Sequence, residues 1–387
     1  MRRITVFTGT RADYGLLRWL LHDLDADPRV ALQVLVSGSH LSAVHGGTLA
    51  EITADGIRVD ATVDMLLASD SRVAAVKSLG LGLIGFADAL DRLRPDVLVV
   101  LGDRYEALAA AQAALLLGVP IAHIHGGEST EGAVDEAIRH AITKMAALHF
   151  TAAEPFSARV RQLGEDPRRV FTTGAPGLDT LRRAVLPDRA ALEADLGLAL
   201  RSPLLLVTYH PVTAAAGGDG VAAVLGALDR LPEATVVLTL PGADPTRDAV
   251  AAAVRDWGAR NADRAVVRAS LGHLRYLALL REAEAVVGNS SSGLIEAPAV
   301  RTATVNVGPR QDGRLRADSV LDCDETVEAV EAALRTALSA PFQARVAAVR
   351  SPYGDGHASA RIAEVLATVD LEGLTTKRFH DLVEVTG

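Results

Sequence analysis

The chain has 387 residues, 49% of them hydrophobic and 22% charged, with a net charge of −9. That length exceeds what one hydrophobic core organises, so two domains of similar size are expected, and the composition excludes a disordered chain. The acidic balance argues against a nucleic-acid binder or an anionic-membrane binder, both of which rely on a basic surface. Cys323 is the only cysteine; it leaves no intrachain disulfide and no cysteine-based zinc site, and it fits a cytoplasmic location.

The opening MRRITVFTGTRADYG has an apolar run of only a few residues and reads as a first strand, not a signal peptide. Short apolar runs at 4–8, 32–36, 97–101 and 121–124 read as strands, and alanine-rich segments at 15–24, 104–117 and 135–147 as helices. This alternation is the βαβ signature of a parallel sheet. The uncharged stretch 107–127 is broken by Gln112, Gly118 and Pro120, so it reads as a buried helix followed by a strand, not a membrane span. Within the helical segment 71–93, Gly80-Leu-Gly82-Leu-Ile-Gly85 matches the glycine string of dinucleotide-binding proteins. No strand ends just before it, so its glycines are not in a turn that a pyrophosphate can approach, and no cofactor is expected.

Ligands bind at the carboxyl ends of parallel strands. The strand at 97–101 ends in Gly102-Asp103-Arg104, placing a carboxylate and a guanidinium at the start of a helix. Asp103 is read either as a helix cap or as a site acid. The next strand runs into His125-Gly126-Gly127-Glu128, so Glu128 is expected to approach Asp103, and close carboxylates suit proton transfer because one raises the pKa of the other. His123 and His125 are read as core or site histidines, with no metal. The helix at 135–147 opens with Asp135 and Glu136; either acid can point to the site, and Arg139 stands where it can orient Asp135 as an i,i+4 partner.

After a polar stretch at 186–203 the pattern restarts, with strands at 204–209, 235–240, 265–268, 285–288 and 303–307. The first ends in Tyr209-His210-Pro211-Val212-Thr213, which puts an imidazole on a strand-end loop. The strand at 285–288 leads into Asn289-Ser290-Ser291-Ser292-Gly293-Leu294-Ile295-Glu296, small hydroxyl residues at a helix start that suit a diphosphate. Arg11 in the first loop and Arg310, Arg314 and Arg316 after the strand at 303–307 supply positive charge for it.

The motifs TGTRADYG, GDRYE, HIHGGE, DEAIRHAITKM, YHPVT, GNSSSGLIE and PRQDGR, in this order over nearly the whole chain, resemble those of the hydrolysing UDP-N-acetylglucosamine 2-epimerases of sialic-acid and related nonulosonate biosynthesis. The non-hydrolysing sister class has differently worded motifs at three of these places. Leu16 departs from relatives that carry a lysine there.

The resemblance implies an α/β fold of two Rossmann-like doubly wound domains facing a central cleft, the glycosyltransferase B type. The first domain would span residues 1–178, joined by a C-terminal helix at about 368–387, and the second residues 179–367. Carried over by motif, the catalytic residues would be Asp103, Glu128, Asp135 or Glu136 or both, and His210. Arg11, Arg104, His125, Ser290, Ser291, Ser292, Gly293, Glu296 and Arg314 would bind substrate, with Glu296 on the ribose. The implied reaction eliminates UDP from UDP-N-acetylglucosamine or a 2,4-diacetamido-2,4,6-trideoxy analogue and hydrates the resulting 2-acetamidoglucal, without cofactor or metal. The implied partners are the UDP-sugar, UDP and further copies of the chain as a dimer or tetramer. A glycosyltransferase of the same fold, a non-hydrolysing epimerase and a non-catalytic nucleotide-sugar binder are the rival readings.

Overall fold

A computed structural model describes residues 1–42, 47–69, 71–129, 134–211, 220–241 and 247–382. The chain divides into two compact units, one comprising Met1–Thr180 with Gly354–Gly387 and the other Leu181–Tyr353.

In the first unit β1 (Arg2–Thr8), α1 (Arg11–Ala26), β2 (Val30–Ser37), α2 (Leu49–Ala54) and β3 (Ala61–Val63) come first. They are followed by α3 (Arg72–Leu93), β4 (Val97–Leu101), α4 (Tyr105–Leu116), β5 (Ile121–Ile124) and α5 (Val134–Met145). Then come β6 (Leu148–Thr151), α6 (Glu154–Gln162), β7 (Val170–Thr172) and, at the junction with the second unit, α7 (Asp179–Arg183). The seven strands are parallel in the order β3-β2-β1-β4-β5-β6-β7. The order reverses between β1 and β4, so the loops leaving those two strands flank the crevice where such sheets bind ligands.

Strands covered on both faces read as continuous apolar runs, and the period of two sorts their side chains. Ile4, Val6, Val97 and Val99 pack with Leu17, Leu20, Leu21 and Leu24 of α1. Phe7, Leu98 and Val100 pack on the other face with Phe86 and Leu90 of α3 and the alanines of α4. Each fully buried leucine contributes roughly 1.5–3 kcal/mol relative to an exposed one. By length and composition α3 is the one helix among the described residues able to cross a membrane, yet Phe86, Ala89 and Leu90 lie in this core. Its glycine string sits mid-helix as packing. A Cβ on Gly82 would stand 2.8 Å from Met65 Cε, and one on Gly85 2.5 Å from Val63 Cγ1.

The second unit holds α8 (Arg189–Leu196), β8 (Leu204–Thr208), α9 (Gly220–Asp229), β9 (Thr235–Thr239), α10 (Arg247–Arg260) and β10 (Ala265–Arg268). It continues through α11 (Gly272–Glu282), β11 (Ala285–Gly288), α12 (Ser292–Ala299), β12 (Ala303–Val307), β13 (Val320–Cys323), α13 (Val327–Leu338) and α14 (Ala340–Ala347). Its six parallel strands run β10-β9-β8-β11-β12-β13, with the reversal between β8 and β11. Leu205, Val207, Val287 and Val305 pack on α9 and α13, while Leu204, Leu206 and Val286 pack on α8 and α11.

The expected terminal helix is displaced. The last helix, α15, is Ala358–Thr368, and residues 369–382 hold none. Ile362 and Leu366 carry α15 into the core of the first unit. Asp179 fixes its start, accepting from the backbone N–H of Ala358 at 2.9 Å and of Ser359 at 2.6 Å, which satisfies first-turn donors that the helix leaves unpaired. The second unit accordingly ends at Tyr353, earlier than the expected boundary.

Candidate active site

In the first unit the loop after β4 does not use Asp103 as a helix cap: Arg104 is the N-cap of α4 and makes no side-chain capping bond. The Asp103 carboxylate instead accepts from the guanidinium of Arg139 on α5. Arg139 is buried, and its other terminal nitrogen reaches Glu136 at 3.4 Å. Glu136 also accepts from Ser129 Oγ at 3.0 Å and lies 3.2 Å from His140 Nε2. Asp135 is exposed. The structure thus separates the two acids of α5: Glu136 joins the cluster and Asp135 does not. The expected i,i+4 pairing of Arg139 with Asp135 is replaced by pairing with Glu136 and Asp103, because the face of α5 that meets the end of β4 carries residues 136, 139 and 140.

Glu128 accepts a hydrogen bond from His125 Nδ1. Asp103 and Glu128 each have their own basic partner, Arg139 and His125. His125 has φ 66°, a left-handed conformation that costs a residue with a Cβ and recurs at functional sites. Burial pushes its imidazole pKa down, but the charge and hydrogen bond of Glu128 outweigh this, and the net direction is up. The turn needs glycine at position 127, where φ is 78° and a Cβ would stand 2.3 Å from the Phe156 carbonyl oxygen.

His123 is structural. Its Nε2 lies 2.8 Å from the carbonyl of Gly102, and its Nδ1 3.1 Å from Thr143 Oγ1. A carbonyl only accepts, so Nε2 carries the proton and Nδ1 accepts from the threonine. Burial lowers its pKa to about 3, so it stays neutral and ties β5 to the turn that presents Asp103. Among the described residues no group of three or more His, Cys, Asp or Glu is arranged to hold a metal ion.

Of the basic residues on this edge, Arg104 is engaged by the buried carboxylate of Glu106 at 2.8 Å, and Arg11 is largely exposed beside Glu51 at 3.1 Å. The structure does not bring Arg11 into the acid cluster. Asp13, unremarked in the sequence, accepts from the N–H of Gly9 at 3.3 Å and is raised by burial against the opposing charge of Arg104.

In the second unit Asn289 organises the crevice between β8 and β11. Its Oδ1 accepts from the N–H of His210 at 2.7 Å, and its Nδ2 donates to the His210 carbonyl at 2.8 Å. Its own carbonyl accepts from Arg310 at 3.0 Å and from Gln311 at 2.7 Å. Gly288 permits the close approach: its φ is 133°, and a Cβ would lie 2.0 Å from the Thr208 carbonyl oxygen. The serines of this loop stand out in the sequence, whereas the role of Asn289 does not. Its signal was an amide side chain directly after a buried strand, where an unpaired polar group is costly. Val212 and Thr213 of the same motif lie outside the described residues.

Ser290 and Ser291 precede α12, and Ser290 Oγ accepts from the N–H of Ser292 at 3.4 Å. Gly293 fits against Thr304, whose Oγ1 donates to the Gly293 carbonyl at 2.7 Å. Ser292 Oγ, Glu296 Oε2 and the hydroxyl of Tyr276 are buried together there, with Ser292 interacting with both the carboxyl and the phenol. Burial raises the Glu296 pKa, and the charge of Arg314 acts against that rise. Arg310 reaches the loop, whereas Arg316 is held by Asp322 at 2.7 Å. Hydroxyls and backbone N–H groups beside a helix start suit an anionic ligand.

These two sheets, each with its polar residues at the reversal of strand order, define a two-domain Rossmann-like α/β protein of the glycosyltransferase B type. The chain belongs to the UDP-N-acetylglucosamine 2-epimerase family, whose model matches residues 22–367, and within it to the hydrolysing branch. It is 36% identical to the UDP-N,N'-diacetylbacillosamine 2-epimerase (hydrolyzing) of Legionella pneumophila, over 96% of this chain and 97% of that one. It is 37% identical to the GDP/UDP-N,N'-diacetylbacillosamine 2-epimerase (hydrolyzing) of Campylobacter jejuni, over 84% of each. The crystal structure of UDP-GlcNAc 2-epimerase from Neisseria meningitidis bound to UDP-GlcNAc shares the fold, with a TM-score of 0.77 at 18% identity, covering 95% of this chain and 99% of that one.

Proposed function

We propose that this epimerase acts on a UDP-linked 2-acetamido sugar and releases the free 2-epimer together with UDP, as a step in nonulosonate formation in the cytoplasm. The observation that carries the reading is the set of acids on the segments that follow β4 and β5, Asp103, Glu128 and Glu136, each with a basic partner, together with a serine loop in the second unit that suits a diphosphate. The 2,4-diacetamido-2,4,6-trideoxy sugar is the preferred substrate, because relatives at 36–37% identity are named for it. UDP-N-acetylglucosamine, giving N-acetylmannosamine, is the simpler analogue. A dimer or tetramer is the expected assembly.

The C2 proton has no neighbouring carbonyl to acidify it, so the reading uses elimination. A carboxylate, Asp103 or Glu128, takes the C2 proton; the C2–H electron pair becomes the second bond between C1 and C2 as the C1–O bond breaks, and UDP leaves with the C1–O electron pair. Water then adds hydroxyl to C1 and a proton returns to the opposite face of C2. Arg139 holds Asp103 and Glu136 in place, and Glu128 with His125 forms a pair able to exchange a proton. The hydroxyls and amides of Ser290–Ser292, with Arg310 and Arg314, would stabilise charge on the departing diphosphate, and His210 would assist it.

The test is incubation of the purified protein in D2O with each UDP-sugar, followed by proton NMR. UDP and a free 2-epimer deuterated at C2 are expected. Release of a sugar that keeps its C2 proton, or transfer to an acceptor without epimerisation, would overturn the reading. Supplying 2-acetamidoglucal to Asp103→Asn and Glu128→Gln variants then assigns the roles: the variant lacking only the base still hydrates it.

A further inference from the structure

The strand-end cluster occupies one edge of the first unit's sheet; the opposite edge carries a second group of charges that the proposed reaction does not use. A pocket of about 430 Å³ lies there, between the segment before β7 and the tail at Thr376–His380. Such a volume suits a small ligand. Ala147 precedes β6, and Glu165, Asp166, Arg168 and Arg169 precede β7. In a parallel sheet that is the edge away from Gly102–Arg104 and from the turn at Gly126–Gly127.

The tail is fixed in place. A Cβ on Gly164 would stand 2.3 Å from the Phe379 ring, His380 N–H donates to the Gly164 carbonyl at 2.9 Å, and Lys144 Nζ lies 4.8 Å from the centre of the Phe379 ring. Arg169 donates to the Gly373 carbonyl at 3.1 Å. The charges lining the pocket do not cancel. Glu165 is buried and compensated by Lys144 at 2.7 Å and Lys377 at 2.6 Å, and Asp166 by Arg168 at 2.6 Å. Arg169 and Arg378 remain as excess, and among the described residues Arg378 pairs with no carboxylate. An uncompensated pair of guanidiniums in a chain of net charge −9 is a local exception. The exposed ring of Phe379 offers a flat apolar wall beside them.

We propose that this pocket binds a small anion bearing phosphate or carboxylate groups, held by Arg169 and Arg378. Its occupation reaches the strand-end cluster through α5. Lys377, part of the pocket wall, also donates to carbonyls at the C-terminal end of α5, Thr143 at 3.3 Å and Lys144 at 2.6 Å, and just beyond it, Ala146 at 2.7 Å. Glu136 and Arg139 sit toward the other end of the same helix, which at 1.5 Å per residue is roughly 18 Å long. A second anion that draws on Lys377 changes how the C-terminal end of this helix is held.

The test is calorimetric titration of the full chain, presaturated with UDP, with inorganic pyrophosphate and separately with citrate. One binding event is expected, weakened about tenfold or more in R169A/R378A while that variant's UDP titration is unchanged. Binding of pyrophosphate alone assigns the phosphate class, and binding of citrate alone the carboxylate class. Absence of both events, or equal binding in R169A/R378A, overturns the site; R378A alone, an exposed change, serves if the double variant fails to fold. Failure of the UDP titration itself bears on the proposed function and not on this pocket. The coupling rests on the proposed activity: at saturating substrate, pyrophosphate should change kcat at least about twofold in the wild type and not in R169A/R378A. An unchanged kcat in the wild type overturns the coupling.

Discussion

At the scale of single residues, the acids of the first unit are defined by their partners. Glu128→Gln should preserve UDP binding and lower turnover about a hundredfold or more, the contribution expected of a proton-transferring group. The same change tests the His125 pairing. In the wild type the imidazole should titrate above its usual 6.5, because Glu128 outweighs burial. Removing that charge leaves burial alone, and the midpoint should fall below 6.5. A pKa raised in the folded state stabilises below the unfolded value and loses that contribution as pH rises through the folded value. NMR titration of the His125 ring proton reads both numbers; a midpoint that stays high in the variant would assign the shift elsewhere. Arg139→Met should leave Asp103 without its basic partner and Glu136 with only Ser129 and His140, destabilising the first unit by about 3 kcal/mol and collapsing kcat with little change in UDP affinity. Denaturant melts and a UDP titration separate the two effects. Strand-end placement made Asp103 and Glu128 legible in the sequence. It could not show that Arg139 serves Asp103, because i,i+4 arithmetic gives spacing along a helix and not which face meets the neighbouring strand.

At the scale of elements, the central strands were legible because burial on both faces makes them unbroken apolar runs. The short strands β3, β7 and β13 were not, because three or four residues with mixed burial at a sheet edge carry little periodicity, nor was β6, fully buried but only four residues long with polar His149 and Thr151 breaking its apolar run. The helix start after β11 was legible from its serines, but the element that shapes it is the Asn289 amide joining the ends of β8 and β11. Asn289→Ala removes the partner of the His210 N–H and of its carbonyl together. It should cost about 2 kcal/mol in the second unit and loosen the serine loop. Calorimetry should show UDP affinity down about tenfold, while Glu128→Gln leaves it intact. Equal UDP affinity in Asn289→Ala and wild type would separate the amide bridge from nucleotide binding.

At the scale of the whole molecule, the two sheets are assembled differently. The second unit is one continuous stretch, Leu181–Tyr353, with its own core on both sheet faces. The first needs chain from both ends, because α15 closes one face of its sheet with Ile362, Ala363 and Leu366. Sequence periodicity is local and cannot show such a return; the expected helix at 368–387 was placed too late for this reason, its tail instead being held by Lys377 and Phe379. The asymmetry has a measurable consequence. Removing residues 354–387 exposes the apolar face that α15 covers and leaves the buried Asp179 carboxylate without the two amides it accepts from. Losing Ile362, Leu366 and Leu374 from the core at roughly 1.5–3 kcal/mol each removes an amount comparable to the usual stability of a domain. The truncated chain should therefore melt in two steps, the first unit already loosened at room temperature and the second unfolding at its full-length temperature. UDP should still bind if the serine loop carries the affinity. A truncated chain that unfolds in one transition with the full-length midpoint would show that α15 is dispensable to the first unit.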